Sequence, residues 1–243
     1  MKIAIPSYNR ASILKSKTLA YLLKEGYDPS EIYIFLKNNE QLEIYKKEIQ
    51  TPVNWVVCHN ENICDKRTYI REYFEKGDEI LSVDDDIKTV KMLHPIPLQT
   101  LVEKMFSHVR REGLSLWGIY PVNNLYYCNE RVVKGSVYIC ACFCGFINKE
   151  QEPYPNIFSK EDRWSSCIRI KLDGAVLRYD GACPDTNYYC AKGGLSEIRD
   201  IDAEEMHARE VEKLFPDLVK YKLKRNGHPD VKFINKPREY FNV

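Results

Sequence analysis

Between Lys2 and Val83 the chain alternates short apolar runs with helix-length segments, and this alternation constrains the fold more than any other feature. KIAIPS reads as a strand, followed by a helix from about Ser12 to Lys24 with Gly26 where helices commonly close. EIYIFL is the next strand and NEQLEIYKKEI the next helix. VNWVVC is a third strand, ENICDKRTYIREYFEKG a helix ending in Gly77, and EILSV a fourth strand. Such a succession predicts a parallel sheet with helices on both faces. Ligands bind sheets of this kind at the carboxyl ends of the strands. PSYNR (Pro6 to Arg10) and DDD (Asp84 to Asp86) fall at such ends and are expected to face one crevice.

The three aspartates directly follow the apolar residues Ile80, Leu81 and Val83. Adjacent carboxylates repel, and a polar group buried without a partner costs roughly several kcal/mol. A solvated turn accounts for a lone Asp pair after a strand; three in a row favour a cation. Asp84 and Asp86, two apart, can both turn toward it from a bent strand end, with Asp85 directed elsewhere, toward a sugar or ribose hydroxyl. A divalent cation shared between carboxylates and a diphosphate is a recurrent way to bind a nucleotide and help it leave. IPSYNRA opens a helix whose amides, with Arg10, suit a base or phosphate. Pro, Ser and Asn also serve there as plain caps.

With 243 residues, 44% hydrophobic and 29% charged, and no composition break, residues 1–243 are expected to form one α/β domain. Its regular half is 1–95 and its less regular half 96–243. The latter reads as a helix from Leu98 to Glu112, LSLWGIYPV, a cysteine-rich strand, a helix from Glu161 to about Lys171, a strand near Ala175 to Tyr179 and a helix from roughly Ala203 to Leu214. Cys140, Cys142 and Cys144 alternate and are expected on one face. None of the nine cysteines forms a CxxC pair, so they read as free, mostly buried thiols. MKIAIPSYNR lacks a signal-peptide pattern, and the longest apolar run, Val137 to Ile147, is too short to span a bilayer. A cytoplasmic protein without membrane contact is expected. Net charge is +1, yet Lys213 to Arg238 carries eight Lys/Arg against Asp217 and Asp230. That segment is either a solvated face or a docking surface for phosphates.

IPSYNRA…KTLAYLLKEG and ILSVDDDI resemble the nucleotide-sugar half of GT-A glycosyltransferases, whose Asp-x-Asp motif binds a divalent metal and the donor's diphosphate. The set GLSLWGIYPVNN, SKEDRW, VLRYDG and NYYCAKGGL is similar to the TET/JBP-associated glycosyltransferases, a phage-type group held to glycosylate oxidised bases in DNA. The resemblance implies a GT-A fold: a Rossmann-like, mostly parallel nucleotide-binding sheet with helices on both faces and a mixed acceptor-side half. It implies Mn2+ or Mg2+, a UDP-sugar donor, and DNA carrying hydroxymethylated pyrimidines as acceptor. The alternatives are a polysaccharide, lipid-linked sugar or protein acceptor, a catalytically inactive binding module, or a nucleotidyltransferase.

Residue by residue, the resemblance assigns Pro6, Ser7, Tyr8, Asn9 and Arg10 to the donor-nucleotide loop. Asp65, Lys66 and Arg67 fall where a helix approaches the diphosphate or uracil; Arg67 is favoured because a guanidinium fork grips phosphate. The plain alternative is a charged helix N-terminus. Asp84 and Asp86 take the metal and ribose roles, with Asp85 also among the donor-binding residues. In SKEDRW, Glu161 or Asp162 is expected to take the acceptor's proton, with Asp162 preferred, although acids in a first helical turn are favoured without any function. A C-terminal histidine commonly completes the metal shell: His228, in a loop, is preferred over His207, expected on a helix surface. Trp117, Gly118 and Asn123, with Gly193 and Gly194 in the AKGGL turn, are expected to line the acceptor or sugar pocket, a tryptophan there also being ordinary core.

Overall fold

In a computed structural model describing residues 1–59, 62–155, 157, 159–186, 200–234 and 238–241, the expected alternation forms as read. The first four strands, β1 (Lys2–Pro6), β2 (Ile32–Leu36), β3 (Asn54–Val57) and β4 (Glu79–Val83), lie parallel in the order β3-β2-β1-β4. Between β1 and β2, α1 (Ala11–Leu14) runs through a π-helical turn (Lys15–Leu19) into α2 (Ala20–Lys24). The other two crossovers are α3 (Asn39–Glu48) and α4 (Ile63–Tyr73). Both begin at asparagine caps. Asn38 accepts from the Gln41 amide, and Asn62 accepts from those of Cys64 and Asp65, satisfying donors that a helix start leaves open.

After β5 (Thr89–Met92) and α5 (Leu98–Arg111) come β6 (Leu116–Ile119), β7 (Val132–Gly135), β8 (Phe143–Ile147), α6 (Glu161–Asp173), β9 (Val176–Tyr179) and β10 (Ala182–Asp185). Then follow α7 (Ile201–Leu214), β11 (Val219–Leu223), β12 (Pro229–Phe233) and β13 (Glu239–Phe241). The main sheet has nine strands in the order β13-β7-β9-β6-β8-β4-β1-β2-β3. β8 runs antiparallel between β4 and β6, β6 is parallel to β9, and β7 and β13 close the edge antiparallel. The sheet formed by the second half of the chain is therefore mixed, as expected. β5 pairs with β10 and β11 with β12 in two antiparallel ribbons.

Side chains alternate across the sheet with period two and fill a core on each side. Ile3, Ile5, Leu81, Val83 and Trp117 face one layer with Leu101, Met105 and Phe106 of α5. Ala4, Ile80 and Leu116 face the other with Ile70 of α4, Trp164 and Ile168 of α6 and Val211 of α7. Trp117 is 0% exposed and sits edge-on to Phe106 and Phe143. Its indole lies over Gly145, its partner across β6 and β8, where a Cβ would stand 2.2 Å from the ring nitrogen. Trp117 and Gly118 therefore do not line a pocket: one is core, and a Cβ on the other would meet Ile139.

Two further expectations change. Cys140 and Cys142 precede β8 and join the first core layer, with their sulfurs 3.2 Å apart, while Cys144 on β8 faces the second. The backbone before Phe143 is not extended strand, so simple alternation does not carry across it. His207 is buried, 2% exposed, against the Ser159 hydroxyl at 2.8 Å. Its helix packs against the β11–β12 ribbon, and His207 lies on the same buried face as Ala208 and Val211.

Candidate functional site

The carboxyl ends of β1 and β4 meet through Asp85. Its Oδ2 accepts from Ser7 Oγ at 2.6 Å and its Oδ1 from Arg10 Nη1 at 3.3 Å. Ser7 Oγ is also 2.7 Å from the Tyr45 hydroxyl, to which the Arg10 amide donates at 2.9 Å. Burial raises the Asp85 carboxyl, and the Ser7 hydrogen bond and Arg10 charge oppose it. Both oxygens of Asp85 are thus engaged inside the protein. This corrects the ribose-facing expectation: Asp85 joins the two loops, and Ser7, 3% exposed, is part of the same joint.

The remaining loop residues divide by exposure. Pro6 is buried as the last residue of β1, while Tyr8 and Asn9 face outward. Asn9 takes a positive φ of 55° and exchanges two hydrogen bonds with the Gln41 side chain, at 2.9 and 2.6 Å. Asparagine tolerates that conformation better than most residues. Gln41 and Tyr45 lie one turn apart on α3, two buried polar groups whose i, i+4 spacing was available in the sequence. Beneath the loop, Lys66 donates to the Ser7 carbonyl at 2.7 Å and is 4% exposed, and burial lowers its ammonium to about 8.

Asp84 and Asp86 flank this joint. Asp86 Oδ1 accepts from Thr186 Oγ1 at 2.8 Å, and its Oδ2 lies 3.9 Å from Arg10. Asn123 donates to Asp185 and to the Thr186 carbonyl at 3.1 and 3.0 Å, and Thr186 in turn binds Asp86. Asp84 keeps a third of its side chain exposed and pairs with Arg67 Nη2 at 3.2 Å. Thr18, carried by the π-helical turn, donates to the Asp84 carbonyl at 2.7 Å and accepts from the Ile87 amide at 2.9 Å. Burial pushes the Asp84 carboxyl upward; Arg67 opposes this, and the charges of Asp86 and Asp85 add to it.

Arg67 reaches a second acid. Its Nε is 4.0 Å from Glu161 Oε1, so one buried guanidinium stands between Asp84 and the first turn of α6. Asp65, in the first turn of α4 and two residues before Arg67, is exposed. Glu161 is 8% exposed, and burial and the Asp162 charge raise its carboxyl against the pull of Arg67. Asp162 is engaged differently: Tyr138 donates to it through its hydroxyl, and Arg163 Nη1 donates at 2.8 Å. This geometry moves the candidate base from Asp162 to Glu161.

No protein-family model matches this sequence, and no curated protein matches it. Solved structures do match in shape. The mannosyltransferase PcManGT from Pyrobaculum calidifontis, in complex with GDP-Man and Mn2+, has a TM-score of 0.60 at 11% identity over 87% of this chain and 64% of that one. Glucosyl-3-phosphoglycerate synthase from Mycobacterium tuberculosis, in complex with Mn2+ and UDP-glucose, has 0.55 at 10% identity over 96% and 86%. TarS 1-349 from S. aureus has 0.53 at 12% over 87% and 66%. This chain has the GT-A fold. It spans just under two thirds of the PcManGT and TarS chains.

In this GT-A fold the oxygen donors of Asp84 and Asp86 suit a hard divalent cation, which commonly takes one or two carboxylates and completes its shell with substrate phosphates and water. The clustered acids of the β4 end support that fit, since a cation would relieve the repulsion that raises Asp84. Among the described residues no group of three His, Cys, Asp or Glu is arranged to hold a metal. His228 lies 3.5 Å from Glu204, which also faces Lys160 at 3.6 Å, and no hydrogen bond or ion pair among the described residues joins it to Asp84 or Asp86. Gly193 and Gly194 lie outside the described residues.

α6 is tied to the β11–β12 ribbon by Asp230. Its oxygens accept from Arg163 Nε and Nη2, each at 3.0 Å, and from Lys224 at 2.6 Å. Burial would raise the Asp230 carboxyl, but Arg163 and Lys224 hold it well below the usual carboxylate range. Asp230→Asn should therefore lower stability by about 3 kcal/mol and the melting temperature by about 8 °C. A lowered carboxyl stabilises above its ordinary pKa of about 4 and loses that contribution as pH falls toward the folded value. The gap between parent and variant in thermal melts should narrow in acid.

Proposed function

We propose that this chain is a metal-dependent glycosyltransferase that moves a sugar from a nucleotide-sugar, a UDP-sugar, to the hydroxyl of a hydroxymethylated pyrimidine in DNA. The observation that carries this reading is the convergence, in a GT-A fold, of Asp84 and Asp86 at the end of β4 with Arg67, which bridges Asp84 to Glu161. Tyr8, Asn9 and Arg10 stand where the nucleotide would lie, and Arg67 where a diphosphate oxygen would find a guanidinium. Asp84 and Asp86 would hold the cation, which when bound offsets charge on the departing diphosphate. Glu161 takes the acceptor's proton as the new carbon–oxygen bond forms and the bond to the diphosphate breaks. Proteins of this fold bind Mn2+ with GDP-Man or with UDP-glucose, which supports the donor class.

The acceptor rests on the basic ribbon and on the motif resemblance to DNA-modifying transferases. Lys220, Lys222, Arg225 and Lys232 are exposed on β11, β12 and their turn, and Asp230 fixes that ribbon to Arg163, next to Glu161 and Asp162. A DNA backbone following these cations would bring a base to the start of α6, flipped from its stack at a cost of roughly a few kcal/mol. A small anionic acceptor is the competing reading, since the M. tuberculosis enzyme of this fold binds phosphoglyceric acid and a net charge of +1 gives no general attraction to DNA.

The test is a donor and acceptor screen. Protein with Mn2+ is given UDP-glucose and other sugar nucleotides with DNA containing hydroxymethylated pyrimidines, and the digested nucleosides are weighed by mass spectrometry. A hexose mass on the base, with binding that weakens steeply as salt rises, supports the reading. Metal-dependent release of UDP without transfer to DNA moves the acceptor to a small molecule or glycan. No release with any donor rejects sugar transfer.

A further inference from the structure

Arg67 also lines a second space. A cavity of about 30 Å3 is walled by Arg67 and Arg71 of α4, Arg169 of α6, Ser82 of β4, and Gln151 and Tyr154 of the connection before α6. A water molecule needs about 10–15 Å3 of such space, so the cavity admits roughly two waters or one halide-sized ion.

Three guanidinium groups share this wall, and among the described residues only Arg67 is paired with carboxylates. Arg67 faces Asp84 and Glu161. Arg71 donates to the Lys149 carbonyl at 3.3 Å and Arg169 to Ser115 Oγ at 2.9 Å, both neutral acceptors. Among the described residues no carboxylate lies within ion-pairing distance of either. Arg169 is 2% exposed. Burial lowers both groups to about 10, Arg71 adding to the effect on Arg169, so both stay charged at neutral pH.

The wall also holds open donors. Arg67 Nε, Arg71 Nε and the Gln151 side-chain amide are buried without a hydrogen-bond partner among the described residues. The wall's other titratable groups do not supply negative charge: burial raises the Tyr154 hydroxyl, and the Cys144 thiol to about 12. Glu72, next to Arg71 on α4, acts on Arg71 only as a weaker opposing charge. Water can satisfy the donors, yet it does not offset two like charges in a poorly solvated space.

We propose that this cavity binds a small monovalent anion of chloride size, held by Arg71, Arg169 and the Gln151 amide. The anion offsets the two unpaired guanidinium charges and sets the potential behind Arg67. This site stands independently of the sugar-transfer reading.

The test uses the full chain dialysed into sodium gluconate, melted as chloride replaces gluconate at constant ionic strength. The melting temperature should rise and saturate, by on the order of 5 °C when chloride reaches about 100 times its dissociation constant. Arg71→Met, at a half-buried position, should lose that saturable rise. A crystal soaked in bromide should show an anomalous peak between Arg71 and Arg169, a readout that does not depend on the variant folding. A melting temperature indifferent to chloride, a rise that Arg71→Met retains, or no bromide peak in the cavity would each overturn the proposal.

Discussion

Asp86→Asn should reduce sugar transfer by about 1,000-fold, the loss expected when the cation proposed to offset charge on the departing group is no longer held in place. The substitution keeps the shape of the side chain and an oxygen able to accept the Thr186 hydrogen bond, so the turn after β4 should persist. What disappears is the negative charge facing Arg10 and the second carboxylate of the proposed metal pair. Two measurements check this. Transfer or UDP release reports the rate, and thermal melting with UDP and Mn2+ reports the ligand-linked rise in stability. The variant should melt near the parent without ligands and lose most of the Mn2+-dependent rise. Transfer within tenfold of the parent would place the cation on other groups.

The second large effect belongs to Glu161→Gln. A positioned general base contributes about 100- to 10,000-fold, and glutamine cannot accept the proton. Burial and the neighbouring Asp162 charge raise the Glu161 carboxyl above the ordinary glutamate value of about 4.3. The base works when deprotonated, so transfer by the parent should climb with pH through that raised value and level off above it. Glu161→Gln should be slow and should lose this acidic limb. Asp162→Asn should keep the limb, because Asp162 is held by Tyr138 and Arg163. A limb that survives Glu161→Gln and vanishes in Asp162→Asn would return the base to Asp162.

The contrast between these two acids shows where sequence reading ends. Both occupy the first turn of α6, and both are acids favoured there by the helix dipole. Nothing in SKEDRW separates them. The choice comes from partners elsewhere in the chain: Arg67, 94 residues from Glu161, for one, and Tyr138, 24 residues from Asp162, with Arg163 and its own partner Asp230 for the other. The same holds for DDD. The apolar run and its charged end locate the turn, but only tertiary contacts sort the three acids: Asp85 to Ser7 and Arg10, Asp86 to Thr186, and Asp84, the most exposed, to Arg67.

Local pattern determined much of this protein. The strand–helix alternation depends on neighbours a few residues apart, so the parallel half-sheet, with Pro6–Arg10 and Asp84–Asp86 at its carboxyl edge, was legible from spacing alone, although α4 ends at Tyr73 and not at Gly77. The tertiary structure decided what depends on register and insertion. β8 enters antiparallel between β4 and β6, and this places Gly145 under Trp117 and makes that tryptophan core rather than pocket. The same packing of α4 and α6 on the sheet brings Arg71 and Arg169, 98 residues apart in sequence, to one cavity wall. The physical reason is range: helix and strand periods are set by bonded geometry, whereas burial of a charge depends on every element packed around it.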